Sequence, residues 1–215
     1  MKRTFTSSWR DAWSDGSLRL QIVATPLALA LVLRTLARFL LWVEERPGVR
    51  LTDPLLQTLV PRDCTWLVFG VIYMALAAGL AVLAAQPRAL VQAIQAYLLM
   101  LLWRMCVMYF IALDPPADMI PLRDPLIEVF GTGRLLTRDL FFSGHTSTLF
   151  LLLLAVPDRR VKPLLLACLL MVAAGLLRQH VHYTVDVLVA PFFSFASYRT
   201  ILALHERFGR NVTPR

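Results

Sequence analysis

Six apolar runs divide the chain, at about 20–43, 65–85, 89–113, 140–157, 162–178 and 183–204. A helix needs about 20 apolar residues to cross ~30 Å of hydrocarbon, so repeated runs of this length predict an all-α, six-transmembrane-helix bundle. Composition agrees, because 58% of the 215 residues are hydrophobic and the mean hydropathy is +0.63, outside the range of an ordinary soluble domain. The formal charge of +8 raises a nucleic-acid partner. The basic residues, however, collect at the ends of apolar runs, as cytoplasmic flanks do, which argues against nucleic acid. Cys64, Cys106 and Cys168 lie far apart and offer neither a disulfide framework nor a metal-ligand spacing.

The organisation follows from these runs. Residues 1–19 carry Lys2, Arg3, Arg10 and Arg19 among Phe5, Trp9 and Trp13, and read as a cytoplasmic interfacial lead-in rather than a cleaved signal. Residues 20–204 form one six-span membrane domain, and 205–215 a basic cytoplasmic tail. Arg34 and Arg38 stand one turn apart near the far end of the first run, where snorkelling to the interface is the favoured reading. The connection 44–64 is broken by Pro47, Pro54 and Pro61, and 114–138 is a proline-containing extramembrane loop. Six spans put both termini on one side, which then holds 11 Lys and Arg against 7 on the other. That bias places the termini in the cytoplasm and the outer helix ends in the periplasm or a lumen, for a multi-pass protein of the cell (inner) membrane.

Three of the four histidines fall between Asp139 and Asp186, in Asp139-Leu-Phe-Phe-Ser143-Gly144-His145-Thr146 and in His180-Val-His182-Tyr183-Thr184-Val185-Asp186. If the second segment is helical, His182 and Asp186 share a face, so the carboxylate takes the Nδ1 proton and leaves Nε2 as nucleophile or base. The turn at Ser143-Gly144 lets backbone amides point at an anion beside His145. Two facing histidines suit displacement at phosphorus, one attacking and one protonating the departing oxygen. Arg104 and Arg178 are candidates to neutralise phosphate charge. A purely structural His-Asp pair competes with this reading, as does a zinc site drawn from His145, His180, His182 and Asp186, although His180 and His182 point to different faces of a helix. A transporter would show discontinuous helices or paired half-repeats, and the sequence has neither.

Both segments resemble signatures of the sphingomyelin synthase family, within the type 2 phosphatidic acid phosphatase superfamily. Leu51-Thr-Asp53-Pro54 is similar to that family's first signature, and Arg104 to Pro116 to its arginine-rich third span, so the likeness runs over roughly residues 50 to 200. The resemblance implies a six-helix lipid phosphatase or phosphotransferase fold with an outward-facing site. His182 is then the nucleophile, Asp186 its partner and His145 the acid and base. Arg104, Asp139, Ser143, Gly144, Arg178 and Tyr183 are the residues expected to contact substrate. It implies no cofactor and no metal, a membrane phospholipid donor and a lipid alcohol acceptor, and leaves homo-oligomerisation open. Thr137 and Arg138 depart from the family's Cys-Gly before the aspartate. The phosphatase branch carries an arginine six residues before the second histidine, where this chain has Leu176, with Arg178 nearby.

Overall fold

A computed structural model describes residues 5–123 and 135–211, the side chains of Phe5 and of 208–211 excepted. The Asp124-Pro125 and Arg134 part of the long loop, Lys2 and Arg3, and the tail side chains Arg210 and Arg215 lie outside the described residues. The described chain folds into helices α1 (Phe5–Ser14), α2 (Gly16–Glu45), α3 (Pro54–Thr58), α4 (Thr65–Ala84), α5 (Pro87–Phe110), α6 (Gly144–Ala155), α7 (Lys162–Arg178) and α8 (Thr184–Asn211). Its one extended pairing is an isolated bridge between Val49 and Leu113.

Local chemistry sets the helix starts. Asp15 caps α2 by accepting the Ser17 and Leu18 amides, Asp53 caps α3 by accepting those of Leu55 and Leu56, and Pro87 opens α5, where a missing N–H costs nothing. The lead-in contains the helix α1, which is pinned to the end of α4 by the Trp9 indole donating to the Ala84 carbonyl at 2.8 Å.

Among the described residues, four helices are long and apolar enough to cross a membrane: Gly16–Glu45, Thr65–Ala84, Pro87–Phe110 and Thr184–Arg207. The remaining two expected spans are shorter, with 12 residues in α6 and 17 in α7. The apolar run before His145 begins at Leu140, but the helix waits until Gly144 because Ser143 is its N-cap and Phe141 takes a left-handed φ of 84°. Leu140 and Phe142 are buried all the same, so burial extends past the helix.

Two large clusters form most of the interior among the described residues. One joins Val68, Phe69 and Ile72 of α4 to Leu149 and Leu152 of α6 and Leu165, Val172 and Leu176 of α7. The other joins Leu36, Leu40 and Val43 of α2 to Met100 and Met108 of α5, with Phe142, Leu151 and Ala190. Helices surrounded by lipid associate through close packing rather than water exclusion, and a Cβ on Gly79 would strike the Leu152 side chain. The outward faces stay apolar, with Leu20, Leu27, Trp66, Phe110 and Phe192 each at least 68% exposed, a surface suited to lipid rather than water.

One end of the bundle is roofed by the connections. Val49 donates to the Ala112 carbonyl at 3.0 Å and Asp114 to the Val49 carbonyl at 3.1 Å, and a Cβ on Gly48 would overlap the Leu113 backbone. Gln179, fully buried, ties three segments together: its Oε1 accepts the Cys64 amide at 2.9 Å and its Nε2 donates to Thr65 at 3.0 Å and to the Ile120 carbonyl at 3.2 Å.

Candidate active site

The site lies under this roof, where α6 and α8 begin. His182 and Asp186 are 3% and 0% exposed, and His182 Nδ1 lies 3.1 Å from Asp186 Oδ2. The pair does not come from two positions on one helix, as the spacing alone suggested. Helix α8 starts at Thr184, so His182 precedes it. Asp186, in its first turn, reaches back to accept the Tyr183 amide at 3.1 Å with the same oxygen. This is the returning half of a capping box, favoured also by the positive end of the helix dipole. One carboxylate therefore fixes the turn and orients the imidazole together.

The other half of the cap comes from far away in sequence. Asp53 accepts the Thr184 amide at 2.6 Å and the Thr184 hydroxyl at 2.9 Å, while still capping α3. Burial raises the Asp53 carboxyl, but the hydrogen bonds from Thr184, Leu56 and Leu55 outweigh it and hold the group below its ordinary value. Tyr183 is 1% exposed; its hydroxyl accepts from the Leu51 amide at 3.2 Å and donates to the Asp114 carbonyl at 2.8 Å. Burial raises the phenol above its usual range, partly offset by the Leu51 bond and by Arg50, so it stays a donor. Its polar atoms are committed to holding the turn.

The Ser143 amide donates to the Asp186 carbonyl at 3.1 Å, joining the start of α6 to the start of α8. Ser143 is fully buried and accepts the Thr146 amide at 3.3 Å, so its hydroxyl oxygen serves as a cap. His145 occupies the first turn of α6, half-buried, with its ring edge-on to Phe69 at 5.9 Å.

Arg104 projects from α5 and is 7% exposed. Its Nη2 pairs with Asp139 Oδ1 at 2.5 Å, its guanidinium carbon lies 5.9 Å from the Phe142 ring centre, and a Cβ on Gly144 would overlap its Nη1. Glycine at 144 is therefore what lets the guanidinium lie against the start of α6. Arg104 Nε is buried without a hydrogen-bond partner among the described residues, an arrangement costly unless something fills it. Arg178 ends α7, half-buried; its carbonyl accepts the Arg62 amide at 3.0 Å, and its guanidinium forms no ion pair among the described residues.

His180 follows Gln179, the C-cap of α7, and takes a φ of 56°. The His180 amide returns to the Leu177 carbonyl and the Val181 amide to that of Leu176, both at 3.1 Å, the bond pattern of a Schellman stop. Among the described residues, no group of three or more His, Cys, Asp or Glu is placed to hold a metal ion.

Glu44 is a site-supporting residue that sequence reasoning missed. From the end of α2 its carboxylate accepts the Thr137 amide at 2.8 Å, the Thr137 hydroxyl at 2.5 Å and the Arg138 amide at 2.9 Å. Arg138 in turn pairs with Asp114 at 2.8 Å. The Thr-Arg departure from the family pattern thus fixes the segment that delivers Asp139.

The start of α6 thus links a buried His-Asp pair, through the Ser143 amide, to an arginine that lies against Gly144. Residues 138–203, which hold both motifs, match the family described as PAP2 superfamily C-terminal. The match supports the type 2 phosphatidic acid phosphatase superfamily and a lipid phosphatase or phosphotransferase-like activity. No curated protein matches the chain significantly.

Proposed function

We propose that this protein is a six-span lipid phosphotransferase resembling sphingomyelin synthase, moving a phosphocholine or phosphoethanolamine head group from a glycerophospholipid to ceramide or a related lipid alcohol. The observation that carries this reading is the buried His182–Asp186 contact at 3.1 Å, tied through Ser143 to the helix start that bears His145. Nε2 of His182 attacks phosphorus, the bond from phosphorus to the glycerol oxygen breaks, and His145 gives that oxygen its proton to release diacylglycerol. The acceptor hydroxyl then passes its proton to His145 and attacks phosphorus, and the P–N bond breaks. Asp186 holds the tautomer and stabilises the imidazolium. Arg104 supplies charge and an unused buried Nε–H to the phosphoryl oxygens. Asp139 orients Arg104, the backbone around Ser143 and Gly144 faces the anion, and Arg178 adds charge at the rim.

In this reading residues 20–204 are the catalytic membrane domain, with the termini cytoplasmic and the site on the outer face of the cell membrane or in a lumen. Water in place of the lipid alcohol turns the same residues into a lipid phosphatase or phospholipase C-like hydrolase. The test is to incubate purified protein in detergent with head-group-labelled phosphatidylcholine, with and without ceramide. Labelled sphingomyelin formed only with ceramide supports the transferase. Free phosphocholine at equal rates in both samples makes it the hydrolase, and no turnover of any phospholipid removes the reading.

A further inference from the structure

Arg34 and Arg38 remain outside the chemistry above, and the fold places them where cations are costly. Helix α2 turns Leu36, Leu40 and Val43 into the bundle, and residues 34 and 38 fall on the opposite side, where both arginines are exposed. The same outward face carries Leu20, Leu27 and Leu31, exposed by 68%, 68% and 66%, so it is a lipid-facing face.

Depth follows from the helix rise. The uncharged run from Leu20 to Leu33 is about 21 Å long at ~1.5 Å per residue, less than the ~30 Å hydrocarbon thickness. At the far end Trp42 stacks on Tyr109 at 5.8 Å, the aromatic belt expected at an interface. Arg38 lies one turn below that belt and Arg34 two turns, ~6 Å and ~12 Å along the axis. Snorkelling serves Arg38 well and Arg34 poorly.

Neither arginine forms an ion pair among the described residues. Glu45 shares their face but stands about 10 Å beyond Arg38 along the axis. Arg46 is engaged elsewhere, donating to the Met108 carbonyl at 3.2 Å and to that of Tyr109 at 3.0 Å, which caps α5. Two like charges one turn apart repel each other, most strongly where water is scarce. An anion drawn between them removes that cost.

We propose that Arg34 and Arg38 form a binding site for the phosphate of an anionic phospholipid, in the leaflet nearer the candidate active site. Arginine forks suit phosphate oxygens, and Leu27 and Leu31 lie below to contact the acyl chains. A zwitterionic lipid would bring an added cation to a face that already holds two. A soluble phosphate ion would have to leave water for this depth without chains to hold it. The proposal does not depend on the reaction assigned to His182.

The test uses the full chain in phosphatidylcholine vesicles, with spin-labelled phosphatidylglycerol or spin-labelled phosphatidylcholine as probe. The ratio of motionally restricted label between the two lipids measures selectivity. R34Q/R38Q should lower it by roughly 25-fold, since each basic residue at an anionic lipid surface is worth about fivefold. R159Q/R160Q, which removes the same charge from the turn at the opposite end, should leave it unchanged. R34K/R38K should keep part of the selectivity, because the charge remains while the planar fork is lost, showing that charge at these positions and not a collapsed helix is responsible. An unchanged ratio in R34Q/R38Q, an equal loss in R159Q/R160Q, or as complete a loss in R34K/R38K overturns the proposal. Displacement of the lipid by inorganic phosphate, at an ionic strength matched with chloride, would also overturn it by making this an aqueous anion site.

Discussion

Asp53 accepts the Thr184 amide at 2.6 Å across 131 residues of sequence. A carboxylate from the 44–64 connection thus completes the cap of the helix that carries Asp186. Asp53→Ala removes acceptors from α3 and α8 at once and should cost about 1–3 kcal/mol of stability, measured as thermal unfolding in detergent. Turnover should fall further than stability accounts for, because the His182 turn loses its anchor. Asp53→Asn keeps one carbonyl oxygen and should lie between.

The same carboxyl gives a pH dependence. Its folded pKa is held below the ordinary 3.8, so the unfolded state binds the proton more readily. The Asp53 contribution to stability is fully present above about pH 4 and is lost as pH falls below 3.8 through the folded value. Thermal midpoints of wild type and Asp53→Asn should therefore differ at pH 6 and converge towards pH 2. A constant difference across that window would show that Asp53 titrates no differently when folded.

His182→Ala should abolish turnover with little loss of fold. Asp186→Asn should leave the Tyr183 amide an acceptor yet slow turnover by roughly 10³-fold or more, through loss of the tautomer and of imidazolium stabilisation. A merely structural pair gives the reverse, a lower unfolding midpoint with unchanged activity per folded molecule. Turnover and thermal unfolding on the same preparations separate the two.

Gly144→Ala puts a methyl group against the Arg104 guanidinium, which must swing away and weaken its 2.5 Å pair with Asp139. The expected result is at least a tenfold loss in kcat/KM with a stability change below about 2 kcal/mol. Arg104→Lys should not rescue function, since a point charge replaces a planar fork. Wild-type kinetics in both variants would remove Arg104 from substrate binding.

Gln179→Leu is expected to act on stability alone. It leaves the Cys64 amide without its 2.9 Å partner, a loss of about 1–3 kcal/mol, read as a lower unfolding midpoint with turnover per folded molecule retained.

What the sequence made legible, and what it hid, divides along chain distance. The apolar runs marked the helices, since burial in lipid needs only composition and length. Caps escaped that reading: the run at 140 overshot the start of α6 by four residues because Ser143 ends the extended segment. His182 and Asp186 were visible because they are neighbours in sequence. Asp53, Glu44 and Gln179 were not seen as supports of the site, because their partners lie 131, 93 and 115 residues away. Tyr183 was expected at the substrate, and only the fold reveals that its hydroxyl joins Leu51 to Asp114.

In the proposed mechanism His182 carries the phosphoryl group between donor and acceptor. The most direct measurement is to incubate His145→Ala with head-group-labelled phospholipid and no acceptor, then analyse the protein for bound label. The expected result is an acid-labile, base-stable adduct on His182, released by acceptor only slowly and absent from the double variant His145→Ala/His182→Ala. No adduct under any condition, with kinetics that require donor and acceptor to be bound together, would contradict it and leave His182 as the base of a direct in-line transfer.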